Sequence, residues 1–259
     1  MTHTHGDADH RPPSERLAAE LRAAIESGSL APGAKLPSER ELAERHAMAR
    51  NTVRQAVRLL AESGLVVSEH GRGVFVRPAT SVIRLGNDRY SPRYRETGLS
   101  PFLLECAKQG KVGRFEVLSI ERMIPPKDVA KRLNLTEGTD SVLRRENVFW
   151  ADSDPLQRVT TWLPWSLSEG TSLTEVEVQH PFGIHGILEQ QGHTMARILD
   201  EVSARMPKPD ERELLRMPPG VPVIDVLHTS VDTAGIAYEL TRFVMRADMS
   251  GLLYSAPVE

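Results

Sequence analysis

Residues 36–76 read LPSERELAERHAMARNTVRQAVRLLAESGLVVSEHGRGVFV. Ser38 followed three residues later by Glu41 is a capping box, whose hydroxyl and carboxylate take up unpaired amides at a helix start, and Leu42 and Ala43 give that helix an apolar side. The helix is expected to end near His46. After a break at Ala47, Met48 and Ala49, the residues Val53, Ala56, Val57 and Leu60 recur at helical spacing, while Arg50, Arg54 and Arg58 recur every fourth position. One face is therefore core and the other a row of guanidinium groups. Gly64 supplies a left-handed stop, and Val66-Val67 and Val74-Phe75-Val76 flank a Gly-rich turn, which predicts two short strands. A short helix, a turn, a basic-faced helix and a hairpin make a winged helix-turn-helix.

The physics of that element suits double-stranded DNA: a helix fits the major groove, Arg forks match guanine edges or phosphates, and a Gly-rich wing tip can approach the backbone closely. Three arginines on a wet helix face are, taken alone, a common solvated surface. The order and spacing of all the parts carry the reading. The stretch from Leu36 to Leu65, followed by HGRGVFV, resembles the N-terminal domain of GntR-family bacterial transcription regulators. The resemblance implies that Arg40, Arg50 and Arg54 reach base edges or nearby phosphates, with Asn51 and Thr52 at the start of the recognition helix. It also implies that His70, Gly71 and Arg72 sit at the minor groove or its phosphates.

A chain of 259 residues is long for this element alone, so a second domain is expected, and a 40% hydrophobic content can furnish a core for each. No run of eighteen apolar residues occurs, and the start MTHTHGDADH has neither the basic stretch nor the apolar stretch of a signal peptide. The expectation is a cytoplasmic protein with no membrane partner. The single cysteine, Cys106, excludes an internal disulfide and a thiolate zinc cluster, and reads as a small buried residue rather than a redox centre. No cofactor is expected. Residues 11–79 carry 11 Lys+Arg against 8 Asp+Glu, whereas residues 80–259 carry 21 against 25, a basic head on an acidic body.

In chain order, residues 1–10 form a polar tail whose His3, His5, Asp7, Asp9 and His10 read as disordered rather than as a metal site. Residues 11–77 are the winged helix-turn-helix, its first helix running from Pro12-Pro13 to Ser27-Gly28 with Leu17, Leu21 and Ile25 on one face. Residues 78–92, small and polar around Pro78, are expected to be a linker. Residues 93–259 form the second domain. There, helices are expected from Ser100-Pro101 to Gln109, Pro125-Pro126 to Leu133, Pro181 to Gln191 and Pro209 to Arg216. Extended runs cover 113–123, 141–150, 156–163, 193–205, 221–231 and 236–246, with turns at Asp152-Ser153-Asp154-Pro155 and Thr233-Ala234-Gly235. The fold class is α+β, an antiparallel sheet with helices to one side.

Several phrases of this half, among them LRRENVFWADSDPLQRVTTWLP, VSARMPKPDERELL and AYELTRFVMRADMSGLLY, resemble the UTRA effector domain of the HutC-type subgroup. The resemblance implies a chorismate-lyase-like fold that dimerises and binds a small effector. It places Ser100, Phe102, Asn147, Phe149, Thr160, Arg197 and Glu239 at the pocket. Where relatives that bind amino-sugar phosphates carry an Arg-x-Arg pair, this chain has Asn147 and Phe149, and Val159 stands in place of a glutamate. Losing two arginines removes charge-assisted bonds to a phosphate and Phe149 adds apolar wall, which argues against a sugar phosphate as the effector.

Two other readings stand beside this one. A lyase uses the implied fold, and His180, His185, His193 and His228 with many carboxylates keep an enzyme open, yet no Gly-x-Ser-x-Gly, His-Glu-x-x-His or Gly-rich phosphate loop occurs. A constitutive DNA-binding repressor whose second domain only dimerises is the third. The reading that best fits the residues is a repressor that binds a palindromic operator as a homodimer and is released by its effector.

Overall fold

The apolar stripe of the basic helix organises the head. In the computed structural model, which describes residues 11–69, 71–77, 82–84, 89–91 and 97–255, α1 (Pro13–Glu26), α2 (Glu39–Arg45) and α3 (Arg50–Glu62) precede a hairpin of β1 (Val66–Glu69) and β2 (Gly73–Val76). Val53, Ala56, Val57 and Leu60 of α3 are buried with Leu17 and Leu21 of α1, Leu42 of α2, and Val66 and Val76 of the hairpin. The capping box is formed: Glu41 N donates to Ser38 Oγ at 3.2 Å, and Ser38 N donates to Glu41 Oε2 at 2.8 Å. The Ser38 hydroxyl, which donates to Glu41 Oε2 at 2.7 Å, and then the Ser38 amide hold the Glu41 carboxyl below its usual range. The tight link to α3 turns on Ala47, which takes a left-handed φ of 48° without being glycine. Gly64, at φ 75°, ends α3 while Leu65 N bonds back to Leu60 O at 3.0 Å.

The structure corrects the expected linker 78–92. Within it β3 (Val82–Arg84) pairs in parallel with β10 (Ser250–Leu252), and Leu253 N donates to Arg84 O at 2.9 Å. Arg84 and Arg89 of this stretch are only 3% and 5% exposed because the second unit offers each a carboxylate: Asp200 at 3.8 Å and Glu105 at 3.5 Å. The chain divides into two compact units, one of residues 1–79 with 218–221 and one of residues 80–217 with 222–259. The linker's strand therefore belongs to the second unit. Residues 1–10 lie outside the described residues.

The second unit is built on one six-stranded antiparallel sheet. Its strands are β4 (Gly113–Met123), β5 (Val142–Ala151), β6 (Asp154–Pro164), β7 (Met195–Arg205), β8 (Val223–Asp232) and β9 (Ala237–Arg246), in the order β4-β5-β6-β9-β8-β7. The β5–β6 turn is tighter than read. Only Asp152 and Ser153 form it, Asp152 at φ 55°, and Pro155 lies inside β6 where the register slips between Phe149 and Trp150. A bulge is where a strand can carry a proline.

Helices cover both faces, a second correction. On one face α4 (Pro101–Lys108) packs Phe102 and Cys106 against Ala151 and Leu156, and α7 (Ile184–Gln190) packs Leu188 against Leu143 and Leu163. On the other, α5 (Lys127–Arg132) buries Val129 against Val142 and Leu240, while α8 (Pro209–Leu214) is tied to the sheet by Asp210–Arg158 at 2.6 Å and Glu211–Arg205 at 2.7 Å. A short α6 (Trp165–Ser168) follows β6.

Candidate functional site

Two regions carry the expected chemistry. In the head, Arg50 and Asn51 are exposed at the start of α3, and Thr52 is half-buried behind them. Ala49, at the N-cap, has no side chain that could cap, so the first amides of α3 stay open as donors, the arrangement that suits a phosphate. Arg54 is exposed and forks onto Glu39 of α2, with Nη2–Oε2 at 2.9 Å and Nε–Oε1 at 3.2 Å, bonds that raise its pKa. Arg40 pairs with Glu44 at 3.2 Å. Exposed pairs of this kind contribute little to stability and exchange readily for a better anion. Gly71 is exposed at φ 72°, where a side chain would strain the backbone, and exposed Arg72 sets its guanidinium 5.5 Å from the Phe75 ring centroid. His70 lies outside the described residues.

The second region is a cavity of about 310 Å³ on the α4/α7 face of the sheet. Strand alternation decides what reaches it. Arg145, Asn147 and Phe149 of β5, Gln157, Val159 and Thr161 of β6, and Glu239, Thr241 and Phe243 of β9 point into it. Ser100 and Phe102 enter from the start of α4, His180 to His185 from the turn into α7, and Arg89 and Tyr90 from the segment read as linker. Five of the expected residues are thus brought together: Ser100, Phe102, Asn147, Phe149 and Glu239.

Thr160 and Arg197 are not. Thr160 sits opposite Glu146 and Arg242 on the other face, among Arg144, Arg158 and Asp225, and Thr161 takes its place in the cavity. Arg197 is exposed on the edge strand β7. Its neighbour Ile198 pairs with Ser230 on the cavity face, so Arg197 faces the other way. Both misplacements are shifts of one residue.

The cavity also holds Arg89, Tyr90, Arg145, Thr161 and Thr241, none of them expected from the sequence, and His185, expected only as a catalytic candidate. A cross-strand row links several of them: Arg145, Thr161, Thr241, His228 and Asp200 are neighbours on successive strands. Thr161 and Thr241 share a hydrogen bond of 2.9 Å, and His228 Nδ1 lies 2.5 Å from Asp200 Oδ1. Arg145 donates to the carbonyl oxygens of Leu173, Glu175 (2.6 Å) and Val176 (3.3 Å), which pins the 173–176 wall, and burial lowers its pKa. Glu239, 4% exposed, accepts from Ser230 Oγ and Thr241 Oγ1, each at 2.8 Å, and lies 3.5 Å from His185 Nδ1. Burial pushes its pKa up, yet the nearby histidines and these hydroxyl bonds outweigh that and hold it below the usual range. Asp200 shows the same contest. Burial is overcome by the His228 bond, the Arg84 charge and a 2.7 Å bond from Tyr254 Oη, and its pKa ends well below normal.

Ser230, His228 and Asp200 have the distances of a nucleophile, base and orienting acid, with Ser230 Oγ 3.2 Å from His228 Nε2. Their surroundings contradict that use. Ser230 and His228 are fully buried, and Ser230 gives its proton to the Glu239 carboxylate, so no substrate carbonyl could reach the hydroxyl. His193 pairs with Asp232 at 2.8 Å beside the last turn. Cys106 is buried and its thiol is pushed up to about 12, first by burial and then by the Glu105 and Asp152 charges. Among the described residues no group of three or more His, Cys, Asp or Glu could hold a metal, and no helix is long and apolar enough to cross a membrane.

A winged helix-turn-helix joined to an α+β unit with a lined cavity is the build of a DNA-binding regulator with a ligand-binding domain. Comparison with known families agrees. The profile for bacterial regulatory proteins of the gntR family matches residues 13–76 and that for the UTRA domain matches residues 108–250, and the chain belongs to the GntR-family transcription regulators that carry a UTRA domain. It is 30% identical over 92% of its length to the HTH-type transcriptional regulator Rv0792c of Mycobacterium tuberculosis, covering 83% of that protein. It is 26% identical to the HTH-type transcriptional repressor NagR of Bacillus subtilis, with 88% of each chain covered. A crystal structure assigned to the GntR family superposes with a TM-score of 0.66 at 27% identity, over 96% of this chain and 99% of that one. These relatives are transcription regulators, not enzymes.

Proposed function

We propose that this regulator is a repressor of the HutC type that acts in the cytoplasm, binds a palindromic operator as a homodimer and releases it when a small effector fills the cavity. The observation that carries the release step is the origin of the cavity wall. Arg89 and Tyr90, which line it, lie in the segment that leaves the head, and Arg84 of the same segment stacks on Phe243, another lining residue, at 4.0 Å. A ligand that touches these side chains acts on the connection to the DNA-binding unit. A name that includes "repressor", as in NagR, supports the direction of control.

In the head, Arg40, Arg50 and Arg54 read base edges or flanking phosphates, Asn51 and Thr52 lie at the groove with the open amides of α3, and His70, Gly71 and Arg72 place the wing. In the cavity, Asn147 and Phe149 remain the residues that argue against a sugar phosphate, since Arg145 commits both terminal nitrogens to wall carbonyls and keeps a single open donor, Nε. Selection of a binding site from randomised duplex DNA with the full chain, followed by native mass spectrometry of the complex, tests the reading. Two chains on an inverted repeat are expected. One chain on an asymmetric site overturns it.

A further inference from the structure

The cavity lining changes character along the strands. At one end Phe149 meets Phe115 at a tilt and Phe102 edge-on, with centroids 5.5 and 5.0 Å apart. Four residues further along β5, about 13 Å at strand rise, Arg145 begins the polar row with Thr161 and Thr241, and Glu239 lies beyond it. Five of the chain's six phenylalanines line this one space, a concentration that fits an apolar ring or chain rather than a polyol.

The charges at the polar end do not all need a ligand. Arg84 faces Asp200 and Arg89 faces Glu105, while Arg145 is bonded to three carbonyl oxygens. Glu239 differs. Its carboxylate is buried and held by two hydroxyls and a histidine, and among the described residues no lysine or arginine lies within ion-pair distance of it. A carboxylate kept ionised in such a place gains most from a cation that carries several donors. A ligand acid would face Glu239, and among the described residues the donors left open to it are single Nε groups on Arg89 and Arg145, whose charges already face Glu105 and the wall carbonyls.

Resting on the reading that this cavity is the effector site, we infer that it takes an amphipathic primary amine, its apolar ring or chain packed on Phe102, Phe115 and Phe149 and its ammonium group donating to Glu239. The test uses three probes long enough to span the distance from the phenylalanine end to Glu239, 1-aminodecane, 1-decanol and decanoate, titrated below their aggregation concentrations into the full chain at neutral pH by calorimetry. The amine should bind about tenfold or more tighter than the alcohol or the acid, the size of a charge-assisted hydrogen bond. Glu239→Gln should erase that preference and leave the alcohol unchanged. Equal binding of the three, preference for the acid, or an amine preference that persists in Glu239→Gln would overturn the inference, as would no binding of the amine. The wild-type ranking decides even where the variant fails to fold. An acid or alcohol that fills the cavity and frees operator DNA would defeat this inference and leave the proposed function standing; an amine that binds without freeing it would do the reverse.

Discussion

The guanidinium of Arg84 lies 4.0 Å from the ring centroid of Phe243, and its Nη2 is 3.8 Å from Asp200 Oδ2. One side chain from the segment behind the wing is thereby fixed both to a cavity wall and to the polar row of the sheet. Among the described residues, Arg84→Ala leaves the buried Asp200 carboxylate with His228 and Tyr254 as its side-chain partners. Removing one member of a buried pair costs about 3 to 5 kcal/mol, and the retained partners put the expected loss near the lower bound. Urea unfolding of the second unit measures it; a loss indistinguishable from that of an exposed arginine would show that Arg84 does not hold the segment.

Asp200 gives the acid side of the stability curve a sign. Its folded pKa is depressed, so its contribution is present above the unfolded value of about 4 and is lost as pH falls through that value toward the folded one. The wild type should therefore lose more stability between pH 6 and pH 3 than Asp200→Asn, in which this group no longer titrates. Parallel curves for the two proteins would mean that His228 and Arg84 do not hold the carboxylate in its charged form.

Most of the fold was legible because the signals were local. The Ser38–Glu41 box, the stripe Val53–Leu60 and the stop at Gly64 each fixed an element by the chemistry of one turn, and the run 113–123 coincides with β4. What could not be read was parity and long-range pairing. In β6 both faces carry polar residues, Arg158 and Thr160 on one and Gln157 and Thr161 on the other, so nothing in the sequence says which threonine meets the cavity. Arg197 failed for the same reason beside a register shift in β7. Arg84, Arg89 and Tyr90 sat in a polar stretch with partners far along the chain, as with Arg84 and His228 at 3.5 Å. Helix and strand periods carry no trace of such a contact.

Arg54 is poised rather than free. Its fork onto Glu39 holds it extended between α3 and α2, and on the proposed function it exchanges that carboxylate for a guanine edge or phosphate. Arg54→Ala is expected to weaken operator binding by about 5- to 100-fold and to relax preference at one base position. Selection from a randomised operator reads both, and an unchanged sequence preference removes Arg54 from base reading.

For the wing, Gly71→Val places a β-branched side chain at φ 72° on an exposed turn. Nothing lies within 4 Å of the added Cβ, so the fold should survive while the strained tip is held away from DNA. Affinity for specific and unrelated duplexes should fall alike, with circular dichroism unchanged. Wild-type affinity for both would remove the wing from the interface.

On the proposed function, one cavity governs one DNA-binding head. The most direct test of that coupling is fluorescence anisotropy of the selected operator duplex with the full chain, with and without the compound that raises the melting temperature most in a metabolite screen. At 100 times its dissociation constant that compound stabilises the chain by about 2.7 kcal/mol. The compound should also lower operator affinity at least about tenfold, and saturating operator should weaken the compound by the same factor, as linkage requires. A compound that fills the cavity while operator affinity stays unchanged would contradict that coupling.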